Sequence, residues 1–244
     1  MSTPSVNALQ SLAWDSEFMG FGVARLKAEN LAPEDLTRCV AEARAAGLRL
    51  LYLIAAPDDA ASNASAHTAG AWLADRKVTF AMPVGLAEQS ALLGPAIQPT
   101  TFWTPQLESL ALQSGEYSRF RLDANFAPTV FPGLYHRWLQ NSLNHQIARE
   151  VLVFDTASTG HAQGLLTLGL KNGRADIGLL AVDAEARGQR IGQQLVAAAR
   201  QRTAAWGLAE LQVVTQLDNE PACCFYRRCG FVEWQVEHIY HFWL

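Results

Sequence analysis

Long apolar runs are missing from this 244-residue chain. No stretch reaches the roughly 18 residues that a membrane-crossing helix needs, so no membrane partner is expected. An excess of one charge is missing too: 19 Lys and Arg stand against 23 Asp and Glu, a net charge of −4. Nucleic acid demands a concentrated basic face, and none is visible, so nucleic acid is excluded as a partner. Cysteine is sparse: Cys39, Cys223, Cys224 and Cys229 are the four, and the last three follow a spacing that fits no zinc site. They read as free, buried, small hydrophobes, and no metal is expected. The opening Met1-Ser-Thr-Pro-Ser-Val-Asn7 lacks a basic segment followed by an apolar core. A secretory signal is therefore not expected, and a reducing cytoplasm is.

What is present is apolar bulk. Half of the residues are hydrophobic, enough for one large domain or two small ones. Residues 33–46 have helical spacing, with Pro33 and two acids in the first turn and Gly47 after the end. Leu48 to Ala55 is a nearly continuous apolar run, which predicts a buried strand. Asp58 to Ala66 reads as a small polar loop, and Ala71–Ala74 and Val78–Met82 as apolar segments flanking Asp75-Arg-Lys77. Prolines and weak periodicity put a boundary near residues 88–100. We therefore expect an N-terminal α/β domain over 1–95 and a second domain over 96–244.

The second part holds helices near Leu107–Ser114 and Leu134–Asn144 and strands over Glu150–Phe154, His161–Leu170 and Ala175–Val182. Asn172-Gly173 marks the hairpin between the last two. A helix over Gln189–Ala205 stops at Gly207, a strand covers Glu210–Thr215, and a helix over Glu220–Cys229 stops at Gly230. Phe231–Leu244 gives final strands, so the order is β-β-β-α-β-α-β-β, without an internal repeat.

Chemistry concentrates in Ala181-Val-Asp-Ala-Glu-Ala-Arg-Gly-Gln-Arg-Ile-Gly192. A strand, an acidic turn, a basic glycine loop and a helix start follow one another. Free amides at a helix N-terminus, joined by cationic side chains, make a cradle for a diphosphate. The spacing fits neither the GxxxxGK[ST] loop nor GxGxxG. About thirty residues on come Asn219 and Tyr226.

The loop resembles the [QR]-x-x-G-x-[GA] motif of the GNAT N-acetyltransferases, with Arg187, Ile191 and Gly192 matching and Arg190 in place of the middle glycine. Asn219-Glu-Pro-Ala-Cys-Cys-Phe-Tyr-Arg-Arg-Cys-Gly-Phe231 resembles the family's N-x-x-A-x-x-F-Y-x-x-x-G-F segment. The resemblance implies a mixed α/β acetyltransferase fold, acetyl-CoA as acyl donor and a primary amine as acceptor. It implies that Leu179, Leu180, Ala181 and Val182 carry the pantetheine arm by backbone pairing. Arg187, Gly188, Gln189, Arg190, Ile191 and Gly192 would hold the diphosphate, with Asn219 and Phe225 beside the cofactor. Tyr226 takes the role of general acid to the leaving thiol, or packs beside Phe225; Asn219 contacts the pantetheine arm, or is a helix cap. The general base stays open among Asp218, Glu233 and the six histidines, with His238 and His241 read as half-exposed.

Segments Trp14–Phe21, Ser118–Arg121, Leu134–Leu139, Gly178–Leu180 and Val214–Gln216 resemble the TDP-fucosamine acetyltransferase group. That implies a TDP-linked 4-amino-4,6-dideoxy sugar as acceptor, in surface polysaccharide biosynthesis. Arg119 and Arg121, whose forks suit phosphate oxygens, would bind it, and the N-terminal domain would wall the acceptor cleft. Another small-molecule or protein amine, and a non-catalytic acyl-CoA-binding module, stay open as alternatives. Nothing in the sequence sets the oligomeric state, and a homodimer is left open.

Overall fold

A computed structural model describes residues 9–85, 96–156 and 161–244. In chain order the elements are β1 (Leu9–Ser11), α1 (Ala13–Met19), β2 (Gly22–Lys27), α2 (Pro33–Ala45), β3 (Leu48–Ala55), α3 (Ala60–Thr68) and β4 (Trp72–Pro83). Then follow β5 (Ile97–Pro99), α4 (Pro105–Ser114), α5 (Arg119–Leu122), α6 (Val130–Leu143), β6 (Glu150–Phe154), β7 (Gly164–Lys171) and β8 (Arg174–Val182). The chain closes with α7 (Ile191–Ala205), β9 (Glu210–Gln216), α8 (Glu220–Arg228) and β10 (Val232–Trp243). The mixed α/β fold class expected from the sequence is the one observed.

Three local expectations change. Residues 58–66 are not a loop: α3 starts within them, because Asp59 caps it by accepting the Ser62 amide at 3.0 Å and the following Ala and Ser residues tolerate a helix. The two segments around Asp75-Arg-Lys77 are one strand, β4, in which Lys77 pairs with Glu237 at 2.6 Å. The final strands are likewise one strand, β10.

Packing divides the chain into two compact units that are not contiguous in sequence. The first comprises 1–78, 122–127 and 235–244; the second comprises 79–121 and 128–234. The expected boundary after residue 95 falls at the edge of the undescribed stretch 86–95. In the first unit β1 pairs antiparallel with β2, β2 parallel with β3, and β3 antiparallel with the end of β10. Leu36, Cys39 and Ala43 on α2 join Leu51, Leu53, Tyr240 and Phe242 in its core. Segment 122–127 belongs here because Asp123 accepts from His241 Nδ1 (2.7 Å) and Trp243 Nε1 (2.9 Å). In the second unit β5, β6, β7 and β8 form antiparallel neighbours, and β8 pairs parallel with β9. Helix α7 buries Ile191, Leu195, Val196 and Ala199, a stripe at helical spacing.

The backbone contains a repeat that the sequence does not announce. β2-α2-β3-α3-β4 and β8-α7-β9-α8-β10 have the same order, and from the end of their first helices equivalent residues lie 160 positions apart. Helices end at Ala45 and Ala205, and Gly47 (φ 73°) answers Gly207 (φ 71°). The nine-residue helices α3 and α8 are capped by Asp59 and Asn219 and followed by Gly70 and Gly230, both at positive φ. The amide of Ala71 donates to Ala66 O as that of Phe231 donates to Tyr226 O. Side chains outside these turns differ almost throughout, so the sequence carries little trace of the match.

Candidate functional site: a parted pair of strands and an amide cradle

In the second unit the parallel ladder between β8 and β9 is short. It runs Ala175↔Leu211, Asp176↔Gln212 and Ile177↔Val213, with Gln212 Nε2 donating to Asp176 Oδ1 at 2.8 Å. Beyond Ile177 the strands share no ladder, although β8 continues to Val182 and β9 to Gln216. On its other side β8 stays paired with β7, through Leu180↔Leu166 to Val182↔Gly164. Leu180, Ala181 and Val182 therefore have one edge in the sheet and the other facing a gap, where an extended amide chain can add as a strand.

The parting coincides with an irregularity. Leu168 pairs with Ile177 but Leu166 with Leu180, so Thr167 stands opposite both Gly178 and Leu179. Such a bulge bends its strand and re-aims its backbone. Thr167 Oγ1 accepts the Leu179 amide at 2.9 Å, and a Cβ on Gly178 would lie 2.9 Å from that oxygen. Sequence reasoning quoted Gly178 but missed the bulge; an isolated glycine inside a strand pattern was its signal.

At the end of β8 the chain forms the cradle. Asp183 opens a short 3-10 turn over Ala184–Ala186, accepting from the Glu185 amide at 2.9 Å and from Gln106 Nε2 at 2.9 Å. Arg187, Gly188, Gln189 and Arg190 are exposed; Ile191 and Gly192 are buried. Arg187 Nε reaches the Val182 carbonyl at 3.4 Å. Arg190, the N-cap of α7, sits at φ 60° and ψ 16°. The substituted residue thus keeps the left-handed conformation that glycine favours there. Among the described residues the amides of Gly188 through Gln193 donate to no acceptor. Here six consecutive N–H groups lie next to two exposed arginines, as a polyanion site needs. A Cβ on Gly192 would meet the Phe225 ring at 3.1 Å, so the helix start and α8 touch at this point.

Helix α8 carries the remaining residues. Asn219 Oδ1 accepts the Ala222 amide at 3.2 Å, the capping role. Tyr226 is 6% exposed, with ring centroids 5.3 Å from Phe225, 5.7 Å from Phe231 and 5.9 Å from Phe80. Burial, followed by the neighbouring Cys229 and Cys223, pushes its phenol up, so it stays protonated. Its hydroxyl makes no hydrogen bond among the described residues.

The other candidates separate. Half-buried Arg119 stacks over Phe120 at 4.5 Å, and exposed Arg121 lies over Phe131 at 5.8 Å, both on the four-residue α5. Among the candidate bases, Glu233 is bonded to Arg227 and His238 to Asn63. His241 is not half-exposed, as the sequence suggested: it is 2% exposed in the first unit, because Asp123 and Trp72, Tyr52 and Phe126 enclose it. Cys39 and Cys223 are buried as expected, but Cys229 is half-buried and Cys224 exposed, since Cys224 faces outward on α8. No group of three metal-ligating side chains occurs, and no helix is long and apolar enough to cross a membrane, among the described residues. The second unit also has a cavity of about 530 Å³, lined by Thr100, Phe102, Gln106, Asp155 and His161 among others.

Residues 120–231 match the Acetyltransferase (GNAT) family. A mycothiol acetyltransferase from Clavibacter michiganensis subsp. michiganensis is 31% identical over 90 residues, which is 37% of this chain and 29% of that protein's length. The match thus spans less than a third of that relative. Two solved structures share the fold. A functionally unknown conserved protein from Staphylococcus epidermidis aligns over 100% of this chain and 94% of its own, with TM-score 0.67 and 9% identity. A GCN5-related N-acetyltransferase from Sphaerobacter thermophilus aligns over 96% and 75%, with TM-score 0.60 and 14% identity.

Proposed function

We propose, from the match of residues 120–231 to the GNAT acetyltransferase family, that the chain is an acetyl-CoA-dependent N-acetyltransferase acting on a primary amine. The observation that carries this is the unspent run of amides from Gly188 to Gln193 at the end of a strand that has parted from its neighbour. When bound, acetyl-CoA supplies a thioester carbonyl that an amine can attack directly. The cradle amides, with Arg187 and Arg190, hold the diphosphate. The free edge of Leu180–Val182 would pair with the amides of the pantetheine arm, with Asn219 and Phe225 beside it. Tyr226, a phenol kept neutral by burial, would donate a hydrogen bond to the departing sulfur, with its proton shifting toward the thiolate only in the transition state. No side chain is assigned as base.

The finer reading of the acceptor is a TDP-linked 4-amino-4,6-dideoxy sugar. What supports it is the pair of cations on α5, Arg119 and Arg121, each held over an aromatic ring. The alternatives are another amine and an acyl-CoA binder without turnover. One experiment separates them: CoA binding by calorimetry, then acetyl transfer to TDP-4-amino sugars beside simple amines. CoA should bind the wild type, and Gly192→Asp, which crowds Phe225 and places a charge beside the diphosphate, should weaken it at least tenfold, about 1.4 kcal/mol. Arg119→Ala and Arg121→Ala should raise KM for the sugar nucleotide and leave CoA binding intact. Efficient transfer to a free amino acid or polyamine, with TDP neither binding nor inhibiting, would replace the sugar-nucleotide acceptor. CoA binding without any transfer would leave a binding module.

A further inference from the structure

The two repeats differ at one place that decides whether an anion can enter. In the C-terminal repeat the loop before α7 ends at Arg190 and Ile191, whose amides have no acceptor among the described residues. The residues 160 positions earlier are Asn30 and Leu31, in the loop that leads to α2 at Pro33, and Asn30 has the same left-handed backbone, φ 51° against 60°. There both amides are taken. Asn30 donates to Asp59 Oδ2 and Leu31 to Ser62 Oγ, each at 2.9 Å. Ser62 in turn donates its amide to Asp59 Oδ1 and its hydroxyl to Asp59 Oδ2. Ser65 Oγ closes the knot on the Leu31 carbonyl at 2.8 Å. In the C-terminal repeat Asn219 and Ala222 stand where Asp59 and Ser62 do, and neither reaches the loop.

The strands agree. β2 and β3 stay paired to Lys27↔Ile54, and Ala28 N still donates to Ile54 O at 2.9 Å, so no gap opens where β8 and β9 part. The Tyr226 position is occupied by Ala66, fully buried. Burial would raise the Asp59 carboxyl, but the bonds from Ser62, Asn30 and Ala61 outweigh it and hold it below its ordinary value.

We propose that β2-α2-β3-α3-β4 is a second acetyltransferase half of the same plan, closed to CoA because its own Asp59 carboxylate, locked by Ser62, occupies the place a phosphate would take. The chain then has a single acyl-CoA site, in the C-terminal repeat. This rests on the acyl-CoA reading of that repeat. The closed half does no chemistry: it lacks the anion cradle, the gap and the acid together.

The test removes the plug and asks whether an anion takes its place. The parent is Gly192→Asp, to suppress the C-terminal cradle, and the probe is inorganic pyrophosphate, with sodium chloride at equal ionic strength as control. Adding Asp59→Ala should lower the melting temperature by at least about 3 °C, from the lost cap. Pyrophosphate should restore at least half of that loss and leave the parent unmoved. Asp59→Ser, which keeps a capping oxygen but withdraws the carboxylate, gives the same comparison if the alanine variant does not fold. Equal pyrophosphate shifts with and without Asp59 overturn the proposal, as would two CoA molecules bound per wild-type chain. A wild-type chain that binds no CoA overturns the acyl-CoA reading instead, while the pyrophosphate difference still reports on Asp59.

Discussion

The two repeats use the same backbone for opposite ends. In the N-terminal one Asp59 and Ser62 take the amides of Asn30 and Leu31, and β2 and β3 pair to the last residue of β2. In the C-terminal one the same turn keeps its amides unspent, and β8 and β9 part after Ile177↔Val213. On the proposed reading, binding capacity lies in hydrogen bonds left unmade. Unmade bonds cost stability, since each exposed amide gives up an internal partner worth about 1 kcal/mol. A half that stabilises the fold makes those bonds, and a half that binds leaves them to its ligand.

The sharpest way to break the comparison is at Tyr226, whose counterpart is Ala66. Tyr226→Phe keeps the ring among Phe80, Phe225 and Phe231 and removes only the hydroxyl. It should lower kcat by roughly 10²–10⁴, the range for a positioned acid, with CoA affinity nearly unchanged. Steady-state kinetics beside calorimetry reads both. Turnover within a few-fold of wild type would make Tyr226 a packing residue like the alanine it answers.

The next effect belongs to the first unit, whose buried polar groups serve the fold. Burial alone would raise the Asp123 carboxyl, but bonds from His241, from the Asn125 amide and side chain, and from Trp243 outweigh it and hold it at about 2 against an ordinary 3.8. A depressed folded value means stability that is present above pH 3.8 and lost as the pH falls through about 2. The amount is about 2 kcal/mol at neutral pH. Asp123→Asn should lose that stability at pH 7 and show a flatter acid limb between pH 4 and 2 in denaturant melts. An unchanged acid limb would move the charge's partner elsewhere. CoA affinity should not follow, because neither Asp123 nor its partners belong to the cradle.

Periodicity and punctuation made most of the second unit legible. β6 and the hairpin at Asn172-Gly173 lie where apolar runs and turn residues put them, and α7 and α8 stop before Gly207 and Gly230. The loop and helix start over 187–192 were legible because their residues are contiguous. Three things were not. Helix α3 escaped because Ala-Ser-Asn-Ala-Ser has no apolar stripe; its start and stop are made by Asp59 and Gly70, as α8's are by Asn219 and Gly230. The repeat escaped because it is preserved in caps and positive-φ glycines rather than in core side chains. The membership of the units escaped because it rests on long-range contacts: Phe80 against Tyr226, and Asp123 against His241 and Trp243.

The smallest expected effect tests the loop itself. Arg190 and Asn30 lie 160 positions apart, each in the loop before its half's first helix, and both hold positive φ without being glycine. For an arginine that conformation costs roughly 1–2 kcal/mol, since its Cβ crowds the following carbonyl; asparagine tolerates it better. Arg190→Gly should therefore raise stability by about 1 kcal/mol, or roughly 2–4 °C in a chain of this size. Asn30→Gly should gain clearly less. The two should also separate in binding. Losing the exposed Arg190 charge should weaken CoA by no more than about fivefold, the worth of one solvated ion pair. Asn30→Gly should leave CoA affinity alone, because its amide still belongs to Asp59. Thermal melts and calorimetry on both variants read the comparison directly. Equal stability gains would mean that the arginine is not strained, and its place would then need another cause. A greater loss of CoA affinity in Asn30→Gly than in Arg190→Gly would reverse the assignment of the open and closed halves. The expected result, a more stable chain with slightly weaker CoA binding, would tie the strain at Arg190 to the proposed diphosphate contact.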